Sequence, residues 1–145
     1  MSVPQLSPMG KDFLELFNAL SAGQLEKLER LYAADACFID PLHQLQGLPA
    51  IKNYFAKLYQ RVSHCRFELL DCTGVVGNEV ISWRMTLHHP RLAAGRAVVV
   101  EGCSWIKYEQ QIYYHRDFFD MGAMLYEQLP LLGGLLRTIK GRVSA

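Results

Sequence analysis

The order of apolar and polar positions divides the chain into a helical first part and an extended second part. Ser7-Pro8 opens the first helix, a hydroxyl cap followed by a proline whose missing N–H costs nothing at that position. Phe13, Leu16, Phe17 and Leu20 follow at i, i+3, i+4 and i+7, the stripe of one helical face. Gly23 interrupts, and Leu25, Leu28, Leu31 and Tyr32 mark a second, short amphipathic helix. Cys37-Phe38-Ile39 reads as a brief strand ended by Asp40-Pro41, with Gly47 closing the loop. Pro49 opens a third helix whose apolar face is Ile51, Tyr54, Phe55, Leu58 and Val62.

From Cys65 onward the period becomes that of strands. Arg66 to Val76 is the first long run, and Gly77-Asn78 supplies a two-residue hairpin signal before Glu79 to His88. A loop from His89-Pro90 to Gly95 leads to Arg96 to Tyr108, where Gly102 suggests a bulge or bend. Glu109-Gln110-Gln111 turns the chain into Ile112 to Phe119. An apolar, helical tail over 121–145 ends the sequence, carrying Leu129, Leu131, Leu132, Leu135, Leu136 and Ile139 with Arg137, Lys140 and Arg142. Helices first and strands afterwards predict an α+β fold, and connected hairpins predict an antiparallel sheet. Three helices on one face of a curved sheet make a cone whose open mouth is a usual place for a ligand.

Length and charge narrow the functional classes. The 145 residues fit a single domain, and repeats, low-complexity tracts and linkers are absent from the sequence. Fifteen basic and fourteen acidic residues leave a formal charge of +1, which argues against nucleic acid as a partner. Cys37, Cys65, Cys72 and Cys103 form no C-x-x-C pair, so the expectation is a reduced, cytoplasmic chain. Met1 to Gly10 has neither the basic nor the apolar region of a signal peptide. Met121 to Leu136 is broken by Glu127, Pro130, Gly133 and Gly134 and is too short to span a bilayer. No metal-ligand spacing, nucleophile elbow or phosphate loop is present, so neither a metal nor another cofactor is expected.

The candidate chemistry lies in three places. Asp40 follows an apolar strand, where a desolvated carboxylate can act as a base, and the competing reading is a plain Asp-Pro turn. The strand from Ile81 alternates strictly, with Ile81, Trp83, Met85 and Leu87 on one face and Ser82, Arg84, Thr86 and His88 on the other. Either the polar face meets solvent, or a homodimer seals the apolar face and the polar face lines the cavity. The second arrangement places Arg84 and Thr86 in the pocket. On the closing strand His115 and Asp117 share a face with Tyr113 and Phe119, so a histidine–carboxylate pair faces either a cavity or a sheet surface. Phe38, Tyr54, Tyr113 and Phe119 would surround these carboxylates with apolar walls.

The runs Ala19-Leu20-Ser21-Ala22-Gly23-Gln24-Leu25 and Leu31-Tyr32-Ala33-Ala34-Asp35-Ala36, then Phe38-Ile39-Asp40-Pro41, Gly47, Ile51 and Tyr54, resemble the first half of SnoaL-like proteins. These belong to the nuclear transport factor 2-like superfamily, with ketosteroid isomerase and limonene epoxide hydrolase. The ending His115-Arg116-Asp117-Phe118-Phe119-Asp120 is similar to the closing strand of the SnoaL-like and epoxide hydrolase branches. The resemblance implies a cystatin-like cone. It sets Asp40 at the position of the isomerase's proton-shuttling aspartate, with Leu16 in place of its oxyanion-hole tyrosine and Ser104 in place of its protonated aspartate. It matches Arg84 and Asp117 to the hydrolase's arginine and one aspartate. Thr86 replaces the other aspartate, and Phe38 and Asp40 replace the tyrosine and asparagine that hold the hydrolase's water. The function expected is cofactor-independent proton transfer, isomerisation or cyclisation, on a hydrophobic carbonyl compound. Asp117 or Asp40 is the acid/base, Arg84 the anion stabiliser and His115 the group that sets protonation. The alternatives are a binding module for an apolar ligand, or an accessory protein whose C-terminal tail docks onto a partner or a membrane; the partner expected is a hydrophobic small molecule, with no membrane contact.

Overall fold

A computed structural model describes residues 5–21, 23–62, 64–88 and 96–120. Helix α1 spans Pro8–Ala19. Ser7 caps it, its Oγ accepting from the Gly10 N–H at 3.0 Å, and Phe13 and Phe17 form the buried stripe. A 3₁₀ turn, Leu25–Lys27, leads into the single-turn helix α2, Leu28–Leu31. Strand β1, Tyr32–Ile39, and the short β2, Gln44–Gln46, precede helix α3, Leu48–Arg61. Four strands complete the order: β3 His64–Val75, β4 Asn78–His88, β5 Val98–Tyr108 and β6 Ile112–Phe119. The expected tail over 121–145 and the loop after His88 lie outside the described residues.

The helices pack on a six-stranded sheet of order β2-β1-β6-β5-β4-β3. The expected α+β class holds, but the sheet is mixed rather than antiparallel. β3 to β6 form a meander of antiparallel hairpins, and β6 then pairs with β1 in parallel. Hairpin turns are local signals, whereas the β1–β6 pairing joins segments far apart in sequence and leaves no turn to read. The same pairing extends β1 back to Tyr32, five residues before the predicted Cys37 start. Ala33, Ala34 and Ala36 are poor strand formers, and here the sheet context overrides their propensity.

Two glycines depart from the sequence reading in detail. The β3–β4 connection turns at Val76-Gly77, one residue earlier than expected, with Gly77 at φ 95°. A side chain there must take a left-handed conformation that glycine adopts freely. Gly102 sits in regular register, opposite Trp83 on β4 and Phe119 on β6, so it is not a bulge. A Cβ at Gly102 would lie 2.7 Å from the Trp83 indole and 2.5 Å from the Phe118 carbonyl oxygen. The glycine makes room for the indole. The sheet irregularity on that side falls in β3, between Leu69 and Asp71.

The parity of β4 decides where the cavity is lined. Ile81, Trp83, Met85 and Leu87 are all buried and point to the helix side of the sheet. The row expected to seal against a second subunit is therefore the inner wall of the domain. Helices α1 and α3 cover it, because burying one sheet face against helices needs that face to be the apolar one.

Candidate functional site

A cavity of about 130 Å³ lies between the helices and the inner face of the sheet. Phe13, Leu14 and Phe17 from α1 and Tyr54, Phe55, Leu58 and Tyr59 from α3 form one side. Trp83, Met85 and Leu87 from β4, Phe67 from β3 and Phe119 from β6 form the other. The polar groups reaching this apolar enclosure include Asp40, Ser104, His115 and Asp117.

The central feature is a hydrogen-bonded chain across β4, β5, β6 and β1. Ser104 and Asp117 are direct cross-strand partners. The Trp83 Nε1–H donates to Ser104 Oγ at 2.9 Å, which leaves the serine hydroxyl to donate to Asp117 Oδ1 at 2.5 Å. His115 Nε2 lies 2.6 Å from the same Oδ1, and its Nδ1 lies 2.6 Å from the Tyr32 hydroxyl. Burial, aided by the Asp117 charge, holds Tyr32 far above the ordinary phenol pKa, so it keeps its proton and donates. His115 Nδ1 is then the acceptor, and the ring proton sits on Nε2, facing the carboxylate. The opposite tautomer would set a lone pair against the carboxylate oxygen. Phe13 and Phe38 pack edge-on to the His115 ring, with centroids at 5.1 and 4.9 Å, and fix its plane. Asp117 Oδ2 has no hydrogen-bond partner among the described residues.

Asp40 is arranged differently. Its Oδ1 accepts from the backbone N–H groups of Leu42 and His43 at 2.8 and 2.7 Å, and His43 Nδ1 lies 2.9 Å away. Its Oδ2 accepts from the Tyr54 hydroxyl at 2.7 Å. Asp40 N donates back to His43 O at 2.9 Å, closing the turn. Both oxygens are engaged, and the geometry is that of an Asx turn that also anchors α3 through Tyr54. Burial, the Asp40 hydrogen bond and the charges of Asp40 and Asp117 raise the Tyr54 pKa far above its ordinary value.

Four expected positions do not reach the cavity. Arg84 lies on the outer face, where the register sets it between Glu68 of β3 and Glu101 of β5. It bonds Glu101 at 2.9 Å and approaches Glu68 at 3.5 Å, and the Glu101 contact raises its pKa further. Thr86 shares that outer face, because strand parity sends alternate residues to opposite sides. Tyr113 is 45% exposed and borders an open polar groove beside Asp35 and Gln111. The irregularity between Lys107 and Tyr108 and the pairing of Ile112 with Tyr108 break a simple alternation from Tyr113 to His115. Leu16 packs on the core from the flank of α1, while Phe13, Leu14 and Phe17 hold the cavity side. Phe38, Tyr54, Ser104 and Phe119 line the cavity with Asp40, His115 and Asp117.

Three participants escaped the sequence reading. Tyr32 was placed at the end of a helix, and only the β1–β6 pairing brings it to His115. Trp83 follows from parity once the inner face is known. Tyr59 stands four residues after Phe55 and eight after Ile51, which is a legible signal for the buried stripe of α3. Among the described residues no group of three His, Cys, Asp or Glu side chains could hold a metal ion, and no helix is long and apolar enough to cross a membrane.

Residues 13–115 match the family model of the SnoaL-like domain. The chain belongs to the SnoaL-like family. Solved structures share its fold. One is a protein from Jannaschia sp. CCS1 described as a SnoaL-like polyketide cyclase, at TM-score 0.70 and 18% identity over 85% of this chain and 95% of that one. A protein with a ketosteroid isomerase-like fold from Catenulispora acidiphila, crystallised with trimethylamine, aligns at TM-score 0.74 and 13% identity over 87% and 96%. A protein from Acidithiobacillus ferrooxidans described as a polyketide cyclase aligns at 0.70 and 16% over 91% and 99%. No protein of curated function matches the sequence. At these identities the solved structures establish the fold, and the SnoaL-like chain's chemistry rests on its own cavity.

Proposed function

We propose that this SnoaL-like domain moves a proton on a small hydrophobic carbonyl compound, with Asp117 as the acid/base. One observation carries the reading: Asp117 Oδ1 is held by Ser104 and His115 while Oδ2, at the wall of an apolar cavity, has no partner among the described residues. In the forward step Oδ2 takes the proton from the carbon next to the carbonyl. The C–H electron pair moves into the carbon framework and the charge develops on the carbonyl oxygen. Return of the proton to another carbon isomerises the compound; attack of the carbanion on a second carbonyl cyclises it, and the alkoxide so formed takes the proton back from Asp117. His115, with its proton held on Nε2, keeps Asp117 Oδ1 paired and the carboxylate oriented. Asp40, saturated by its own turn and by Tyr54, holds the cavity wall rather than moving the proton.

The test is hydrogen–deuterium exchange at the α-carbon of 1-indanone in D₂O, followed by proton NMR. The protein should accelerate exchange, and Asp117→Asn should lose 10²-fold or more of that acceleration, roughly the usual weight of a general base. Exchange at the buffer rate with wild-type protein would refute the proton-transfer reading. A second reading, a binding module for an apolar ligand, draws support from Arg84 facing outward, since the expected anion stabiliser is missing from the cavity. That module would bind 1-indanone without exchanging it.

A further inference from the structure

The cavity wall contains several polar groups, and most of their hydrogen-bonding capacity is already used. Tyr54 gives its hydroxyl proton to Asp40, and Tyr32 gives its proton to His115. Trp83 donates to Ser104, and Ser104 donates to Asp117. Both ring nitrogens of His115 are engaged. Tyr59 is the exception among the cavity phenols. It lines the cavity, it is half-buried on α3, and its hydroxyl has no hydrogen-bond partner among the described residues. Its ring packs near Phe55, at 6.4 Å between centroids, while among the described residues nothing bonds the oxygen.

A hydroxyl at the wall of an apolar cavity without a protein partner is left to bond water or a ligand there, since desolvating it unpaired would cost free energy. An apolar residue at position 59 would serve packing better. We propose that the Tyr59 hydroxyl is a ligand donor, the group that gives a hydrogen bond to an acceptor oxygen of the molecule held in the cavity. This deepens the reading of Asp117 as acid/base and rests on it for the ligand's chemistry. It supplies the donor that Arg84, on the outer face, does not. Burial and the neighbouring Cys65 keep the Tyr59 pKa well above the ordinary phenol value, so the hydroxyl stays a donor throughout the neutral range. The Cys65 thiol, pushed up to about 12 by burial, also stays protonated, but S–H is a much weaker donor. The ligand implied has a carbonyl-type oxygen on an otherwise apolar, ring-sized body.

The experiment compares 1-indanone with indane, two probes of nearly the same shape that differ in one oxygen. Binding is read from quenching of Trp fluorescence, since Trp83 forms part of the wall, and checked by ligand-observed NMR. Wild-type protein should prefer the ketone by about fivefold or more beyond the partition of the two probes between water and alkane, the size of one neutral hydrogen bond. Tyr59→Phe should remove that preference, leave indane affinity unchanged and keep or raise the melting temperature. A measurement on wild type alone supports the same point: the carbonyl stretch of bound 1-indanone should fall below its value in alkane. No ketone preference, no binding of either probe up to its solubility, a preference that survives Tyr59→Phe, or an unshifted stretch overturns the proposal. Asp117→Asn should keep the ketone preference. If exchange is never catalysed yet the Tyr59-dependent preference remains, the proton-transfer reading falls and this donor stands.

Discussion

Asp117 and Asp40 show how the same residue type takes opposite roles through its neighbours. Asp40 has donors on both oxygens, and Asp117 has donors on one. The asymmetry depends on His115, and His115 depends on Tyr32. Tyr32→Phe removes the one proton that His115 Nδ1 accepts and leaves that nitrogen buried without a partner. The expected loss of stability is about 1–3 kcal/mol in urea unfolding. The second expected result is specific to the tautomer: the ¹⁵N shifts of His115 should change from the Nε2–H form toward a mixture of forms. A stable variant with unchanged ring shifts would mean that Tyr32 only fills space.

At the scale of elements, strand parity carries most of the consequences. β4 contributes Trp83, Met85 and Leu87 to the cavity and Arg84 and Thr86 to the outer face, and a shift of one residue would exchange the two sets. Trp83 can lie flat enough to reach Ser104 only because Gly102 leaves space on β5. Gly102→Ala places a methyl group against the indole and the β6 backbone together. The backbone contact cannot be relieved by a rotamer change, so the expected cost is roughly 1–3 kcal/mol of overpacking. The Trp83–Ser104 hydrogen bond should break as well, visible as a changed Trp83 indole N–H resonance. An unchanged melting temperature would show that β5 and β6 separate easily at this point.

For the molecule as a whole, the buried phenols and thiols make stability depend on alkaline pH. Tyr32, Tyr54 and Tyr59 have folded pKa values raised above 10.0, and Cys65 is raised from 9.0 to about 12, each chiefly by burial. Below the unfolded values both states keep their protons and the full stability is present. Above them the unfolded chain ionises first, binds fewer protons than the native state, and is stabilised relative to it. Stability should therefore fall from about pH 9 upward, with a slope near 1.4 kcal/mol per pH unit for each group in its window. Urea midpoints measured from pH 7 to 11 check this. A flat profile above pH 9 would mean that water reaches these groups in the native state.

Much of the plan of this SnoaL-like domain was legible in its residues. Ser7-Pro8, the Phe13–Phe17 stripe, the Ile51–Val62 stripe and four strands separated by turn residues are local patterns, and local patterns act through neighbours in sequence. The pairing of His115 with Asp117 was legible for the same reason, since residues two apart on a strand share a face. Three things required tertiary contacts. The alternation of β4 stated that two faces exist but not which one meets the helices, so Arg84 and Thr86 were assigned to the wrong side. The parallel union of β1 with β6 joined Tyr32 to His115 across distant parts of the chain, with no turn between them to announce it. The difference between a saturated Asp40 and a half-paired Asp117 came from donors on α3, β5 and β6 converging in space. Periodicity fixes which residues share a face; only packing decides what that face meets, because burial is a property of the assembled layers and not of any one segment.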